Sequence, residues 1–201
     1  MDENHSIVEI AVPRIWVGKR LRDVGLRTEH HLNLLTIRRE KGRLNNLTIG
    51  LCGDLKFGRT VHSLIKSLVR WEGIRFVFIS PEELHVPSYI IDEVVKPSGC
   101  EYKEVRTMDE VLPELDVLYM TRVQRERFDE QEFAKIQGKF NLDASMLENA
   151  KTNLRVLHPL PRVDEIHPDV DDTPYAYYFE QATNGVYARQ AILSLILNEE
   201  I

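Results

Sequence analysis

Two rhythms of apolar residues run along this 201-residue chain. From Leu47 onward, strand-like runs (LTIGLCG, IRFVFIS, CEYKEVR, DVLYMTR, LRVLHPLP) alternate with segments of helical spacing. RTVHSLIKSLVRW places Val61, Leu64, Ile65 and Leu68 on one helical face. SYIIDEVVKPSG predicts a helix ended by Pro97 and Gly99, MDEVLPEL and DEQEFAKI short helices, and NGVYARQAILSLILNEEI a closing helix. Upstream, Ser6–Val12 alternates and reads as a strand closed by Pro13. VGKRLRDVGLRTEH reads as a helix with Val17, Leu21 and Val24 on one face, ended at Gly25. The stretch LNLLTIRRE serves two templates. Leu34 and Ile37, with Arg38, Arg39 and Lys41 ahead of Gly42, suit the end of a helix. Leu32, Leu34 and Thr36 against Asn33, Leu35 and Ile37 suit a strand buried on both faces, and the strand is the preferred reading.

Alternating strands and helices predict an α/β fold: a doubly wound, Rossmann-like parallel sheet with helices on both faces. Such sheets bind ligands beyond the carboxyl ends of their strands. Here those ends are GDLKFGRT, SPEEL, MTRVQRER and HPLPRVDE.

Composition narrows the picture further. A hydrophobic fraction of 43% and a charged fraction of 29% describe a globular chain. A net charge of −6 argues against a nucleic-acid partner. Cys52 and Cys100 are too few for a disulfide framework and read as reduced structural thiols of a cytoplasmic protein. The acidic start MDENHSIVEI is unlike a signal peptide, and no apolar run is long enough to span a membrane.

GDLKFGRT follows a strand and opens a helix. It nearly spells the phosphate loop G-x-x-x-x-G-K-[ST], with Arg59 in the lysine position and the bulky Leu55 and Phe57 inside it. A planar guanidinium fork suits carboxylates, so an anion site with Arg59 as a bidentate clamp is preferred over a nucleotide loop. Taken alone, this segment is better explained as a plain strand–helix turn with solvated charges. In MTRVQRER, Arg122 and Gln124 share parity and can face one cleft, whereas Arg125, Glu126 and Arg127 read as solvated charge. The two prolines of LHPLPRVDEI stiffen a turn and leave carbonyls free to accept from a ligand. His62 and His158 read as structural; the seven histidines show no metal-ligand spacing, and no Ser-His-Asp set assembles.

LTIGLCGDLKFGRTVHSL, VLYMTRVQRERF, VLHPLPRVDEI and YYFEQATNGVYARQAIL together closely resemble the aspartate-binding half of the aspartate carbamoyltransferase family, over residues 42–201. That family transfers the carbamoyl group of carbamoyl phosphate to L-aspartate in pyrimidine synthesis, without metal, cofactor or covalent intermediate. The resemblance implies that Arg59, Arg122 and Gln124 hold the two aspartate carboxylates, with Lys56 nearby. It also implies that the Pro159 and Leu160 carbonyls meet the carbamoyl amide, and that Leu160–Pro161 is cis. The family's phosphate-binding half has no counterpart here, so no residue is expected to be catalytic in isolation, and at most weak binding of L-aspartate or another small dicarboxylate is expected.

Residues 6–40 instead resemble the front β-α-β of the C-terminal ligand-binding domain of potassium-conductance regulators, which implies two domains, 1–41 and 42–201. TIRREKGRL fits both families. The expectation is therefore a chimera joined there, engineered or, as an alternative, a natural fusion. Its β-α-β segment would pack on the sheet and cover VYARQAILSLIL, or be exchanged within a homodimer. An alternative function is a non-enzymatic module that self-associates and binds no aspartate.

Overall fold

The computed structural model describes residues 32–123, 128, 130 and 140–197. The predicted strand Ser6–Val12, the helix after it, the docking of that segment, Gln124 and all of DEQEFAKI except Glu130 lie outside these residues.

Five short runs form the strands: β1 Thr48–Cys52, β2 Arg75–Ile79, β3 Glu101–Val105, β4 Val117–Met120 and β5 Arg155–Leu157. All pair in parallel, in the order β3-β2-β1-β4-β5. The central strand β1 is buried along its whole length, which is why TIGLC has no polar face. The edge strand β3, EYKEV, is exposed and carries charge of both signs, a sequence that discourages edge-to-edge pairing. The chain builds outward from β1 to β3, then returns to place β4 on the other side of β1. The switch point therefore lies between the carboxyl ends of β1 and β4.

One face of the sheet is covered by helices. These are α1 (Leu32–Lys41), α2 (Arg59–Leu68) and α3, a turn Ser88–Ile90 running through a π-helical turn Ile91–Val95 into Lys96–Ser98. In α2, Val61, Leu64, Ile65 and Leu68 are all buried, as their spacing predicts. They pack with Ile49, Leu51, Phe76, Phe78, Val117 and Tyr119 from the strands. The opposite face carries Cys52, Val77, Ile79, Leu118, Met120 and Val156. Among the described residues no regular helix lies across that core. It is closed by the 3₁₀ turns Leu112–Glu114, Ser145–Leu147 and Pro168–Asp172, and by Phe140, Leu142 and Ile166. MDEVLPEL thus forms one 3₁₀ turn rather than the predicted helix, because Pro113 cannot donate to a continuing helical ladder. The last helix, α4 (Tyr178–Leu197), starts earlier than NGVYARQ suggests; its buried Tyr178 anchors it in the second core. No described helix is long and apolar enough to cross a membrane.

The strand reading of Leu32–Arg39 is corrected: these residues form α1. A strand would set Ile37 and Arg39 on the same face. The helix separates them, burying Leu34 and Ile37 in the core and leaving Arg38 and Arg39 exposed. The basic last turn complements the helix dipole, and Gly42 follows at φ +67°, the left-handed conformation that commonly ends a helix. Polar contacts fix α1 against α4: Gln181 Nε2 donates to Asn33 Oδ1 at 2.7 Å and Arg39 donates to Asn184 Oδ1 at 3.1 Å.

Replacing Ile37 with alanine should destabilise the chain by about 2–4 kcal/mol in urea titration, whereas Arg38→Ala should change it by less than about 0.5 kcal/mol. Equal effects at the two positions would contradict a docked helix.

Candidate functional site

At the switch point the backbones of β1 and β4 come into direct contact. Gly53 leaves β1 at φ +110°, and a Cβ built on it would lie 2.3 Å from the Thr121 carbonyl oxygen and 2.7 Å from Thr121 Oγ1. Only glycine tolerates both that φ and that approach. Thr121 closes the junction. Its N–H and its hydroxyl both donate to the Cys52 carbonyl, at 2.9 and 3.0 Å, and its Oγ1 accepts from the Asp54 N–H at 3.0 Å. Asp54, only 3% exposed, turns the chain by accepting from the Phe57 N–H at 2.9 Å. Leu55 N–H donates to the Leu84 carbonyl at 3.2 Å, and the Leu55 carbonyl lies 2.8 Å from His62 Nε2. The loop Gly53–Gly58 is thus pinned at four points before α2 begins.

The predicted binding residues sit on this frame. Arg59 is the first residue of α2 and is exposed; among the described residues its guanidinium has no partner. Lys56 is exposed on the preceding loop, its ammonium 5.3 Å from the Phe57 ring centroid. Arg122 directly follows Thr121 and is half-buried. Strand pairing thus brings the segments carrying Lys56, Arg59 and Arg122 to one edge of the sheet, while Gln124 falls outside the described residues. Buried in β4, the Tyr119 hydroxyl has Thr60 and Asn33 beside it but no aligned hydrogen-bond partner; burial pushes its pKa up.

Beyond β5, next to β4, lies the turn that begins at His158. Leu160–Pro161 is cis and Leu160 has φ +51°. Among the described residues neither the Pro159 nor the Leu160 carbonyl accepts a hydrogen bond. His158 and Glu165 close the turn from either end. Their Nε2 and Oε1 lie 2.7 Å apart, an ion-pair distance although off the line of a good hydrogen bond. Burial works to raise the pKa of Glu165, but the His158 ring and backbone amides outweigh it and hold the carboxyl below the usual range. Arg162 forks onto Asp171 and donates to the Tyr178 hydroxyl at 2.9 Å, so it is spent within the fold. That bidentate contact keeps Asp171 low, while burial and Asp171 push Tyr178 up.

His62 and His158 both serve the scaffold, as expected. Sequence reasoning passed over Asp54, Thr121, Glu165 and Gln181, whose roles arise from partners far away in the chain. The single available signal was a short polar residue within two positions of the end of each of two buried strands. Both cysteines are unpaired, Cys52 being buried where desolvation raises its pKa. Among the described residues no cluster of three or more His, Cys, Asp or Glu side chains could hold a metal. A cavity of about 340 Å³ lies at the opposite edge, by Trp71, Arg75, Cys100 and Glu101, and includes none of the predicted residues.

Comparison with known proteins gives a consistent result. Residues 45–196 match the family described as aspartate/ornithine carbamoyltransferase, Asp/Orn binding domain. An aspartate carbamoyltransferase catalytic subunit of Aliivibrio fischeri (strain MJ11) is 58% identical over 174 residues, 87% of this chain and 56% of that one. The corresponding subunit of Chromobacterium violaceum is 59% identical over 87% of this chain and 57% of its own length. Among solved structures, the catalytic subunit of M. jannaschii aspartate transcarbamoylase superposes with a TM-score of 0.78 at 42% identity, covering 83% of this chain and 54% of that one. The Trypanosoma cruzi enzyme in complex with aspartate and phosphate gives 0.73 at 39%, covering 82% and 52%. The chain therefore spans about half the length of the relatives it matches.

Gly53→Ala should cost at least about 2 kcal/mol, since the methyl group meets backbone as well as the Thr121 hydroxyl. A midpoint in urea equal to that of wild type would show that the β1–β4 junction is looser than described.

Proposed function

The chain belongs to the aspartate/ornithine carbamoyltransferase family through its Asp/Orn-binding domain, and from that premise we propose that it is the aspartate-binding half of an aspartate carbamoyltransferase. In the reaction, the amine of L-aspartate bonds to the carbamoyl carbon of carbamoyl phosphate as the bond to phosphate breaks. Arg59 and Arg122, with Gln124, hold the two carboxylates, and Lys56 adds positive charge at the rim. A dicarboxylate matches two planar forks better than two point charges. The Pro159 and Leu160 carbonyls accept from the carbamoyl amide. The observation that carries this reading is the convergence of the 53–59, 121–122 and 159–160 segments on the switch-point edge, in a family one of whose solved members holds aspartate. Two unpaired thiols suit the cytoplasm we propose for it.

The half of the relatives that this stretch does not span would supply the phosphate site. Bringing two substrates together is worth roughly 7–11 kcal/mol of barrier, so these 201 residues alone bind without turning over. Residues 1–41 are the weak point of a two-domain division at 42. The regulator-like pattern asks for a strand ending in IRR, whereas α1 is a helix there. A 174-residue match leaves at most 27 residues outside it, which supports a family portion that begins upstream of residue 42. Neither point supports a chimera.

In calorimetry the 201-residue chain should bind succinate with a Kd of about 1 mM, and Arg59→Ala or Arg122→Ala should weaken it about tenfold or more. The exposed Arg59→Ala variant should keep wild-type stability. It should form no carbamoyl aspartate from aspartate and carbamoyl phosphate. Absence of succinate binding would favour a non-enzymatic module; turnover by the chain alone would refute the half-site reading.

A further inference from the structure

The turn after β5 holds two buried ionisable side chains that no substrate contact explains. His158 is 2% exposed and Glu165 is 5% exposed. Among the described residues, Nε2 and Oε1 of the pair have no hydrogen-bond partner and face each other at 2.7 Å. Every other polar atom of the two side chains is engaged by the turn itself. His158 Nδ1 accepts from the Leu160 N–H at 2.8 Å, and Glu165 Oε2 accepts from the Val163 N–H at 3.1 Å. An imidazole nitrogen that accepts a backbone N–H carries no proton, so the neutral ring holds its proton on Nε2, towards the carboxylate.

The backbone is anchored on both sides of the pair. The His158 N–H donates to Gln181 Oε1 at 2.9 Å, and Gln181 Nε2 reaches Asn33 on α1. The Glu165 carbonyl accepts from the Leu142 N–H at 2.9 Å. Between these anchors, Leu160 stands at φ +51°, a conformation sparsely populated by leucine, and among the described residues its own carbonyl and that of Pro159 accept nothing. A non-glycine residue keeps such a conformation only where its surroundings impose it.

We propose that the His158–Glu165 pair is a positioning clasp: by holding the Leu160 N–H, it aims the Pro159 and Leu160 carbonyls as a fixed acceptor pair for the NH₂ of a carbamoyl group. This rests on the reading of the site as the aspartate half of a carbamoyltransferase. His158 and Glu165 act through the backbone of Pro159 and Leu160 and touch no substrate. Their effect is confined to the carbamoyl end of the ligand, away from the carboxylate clamps on Arg59 and Arg122.

Two probes separate those ends. Succinate carries the carboxylates alone, whereas N-carbamoyl-L-aspartate adds the carbamoyl group. Calorimetry on the 201-residue chain should show N-carbamoyl-L-aspartate binding about tenfold more tightly than succinate. His158→Leu should erase most of that preference and leave succinate within about twofold. His158→Asn, whose side-chain oxygen can still accept from the Leu160 N–H, should recover part of it, and Glu165→Gln should give an intermediate loss. Because a variant at a buried site can fail to fold, a wild-type measurement stands beside these. Adding N-carbamoyl-L-aspartate should move the ¹³C carbonyl resonances of Pro159 and Leu160, adding succinate should not, and the His158 nitrogen shifts should report the Nε2–H form. Equal loss of both probes in His158→Leu, no loss of either, or unmoved carbonyl resonances would overturn the clasp. Wild-type binding of succinate with no preference for the carbamoyl compound would overturn it while sparing the parent reading; no binding of either would sink both.

Discussion

Two strands that touch where no side chain fits set the geometry of everything above them. At the β1–β4 junction, Gly53 must be glycine because its Cβ would overlap the Thr121 carbonyl. Thr121 then satisfies the Cys52 carbonyl twice and caps the Asp54 amide. These bonds are buried, and an unmade buried donor or acceptor costs about 1–3 kcal/mol, so the loop has few alternative paths. Arg59 and Arg122 follow within a few residues of this junction on either strand. The nearness of the two segments that carry them is inherited from that backbone contact.

The same logic holds β5 and its turn. Glu40 on α1 accepts from the Tyr177 hydroxyl and pairs with Arg155 at 3.1 Å, binding α1, β5 and the segment before α4 into one unit. Burial together with the Glu40 carboxylate pushes the Tyr177 hydroxyl up to about 12. Gln181 joins the His158 backbone to Asn33. Asn33, set on one of two buried faces in a strand reading, becomes a link in the site's support once the segment is helical.

How far the sequence reveals this depends on the range of the interaction. β1, β2, β4 and α2 were legible because a strand buried on both faces must be apolar throughout and a surface helix must repeat near 3.6. Arg59, Arg122 and the prolines were legible because each directly follows such a strand or its loop. α1 was misread: LNLLTIR offers apolar residues to both periods, and what decides it is where Arg39 and Asn33 find partners on α4, some 145 residues away. The closure of the second face was missed for a similar reason. Short 3₁₀ turns and their flanks bury Val111, Leu112, Leu147 and Val170 without any periodic pattern to announce them. Asp54 and Glu165 look like surface carboxylates in the sequence; only tertiary pairing removes them from water.

In the proposed reading, two guanidinium forks at this edge account for affinity but not for rate. The proposed Kd near 1 mM corresponds to about −4 kcal/mol, a magnitude that two partly exposed charge-assisted contacts can supply after the cost of ordering the ligand. Catalysis needs interactions stronger in the transition state than in the ground state, and the developing charge in carbamoyl transfer lies on the phosphate and carbamoyl oxygens. Lys56, Arg59 and Arg122 follow β1 and β4, whereas the turn beyond β5, its Arg162 paired with Asp171, presents carbonyls, which are acceptors and suit the carbamoyl NH₂ rather than an oxyanion. In the proposed division of labour, this fold supplies the forks and acceptors that orient the nucleophile and the amide, and donors for the leaving oxygens come from outside residues 32–197. A switch point fixed by buried backbone contact suits that task, because the loops beyond β1 and β4 leave it at set positions.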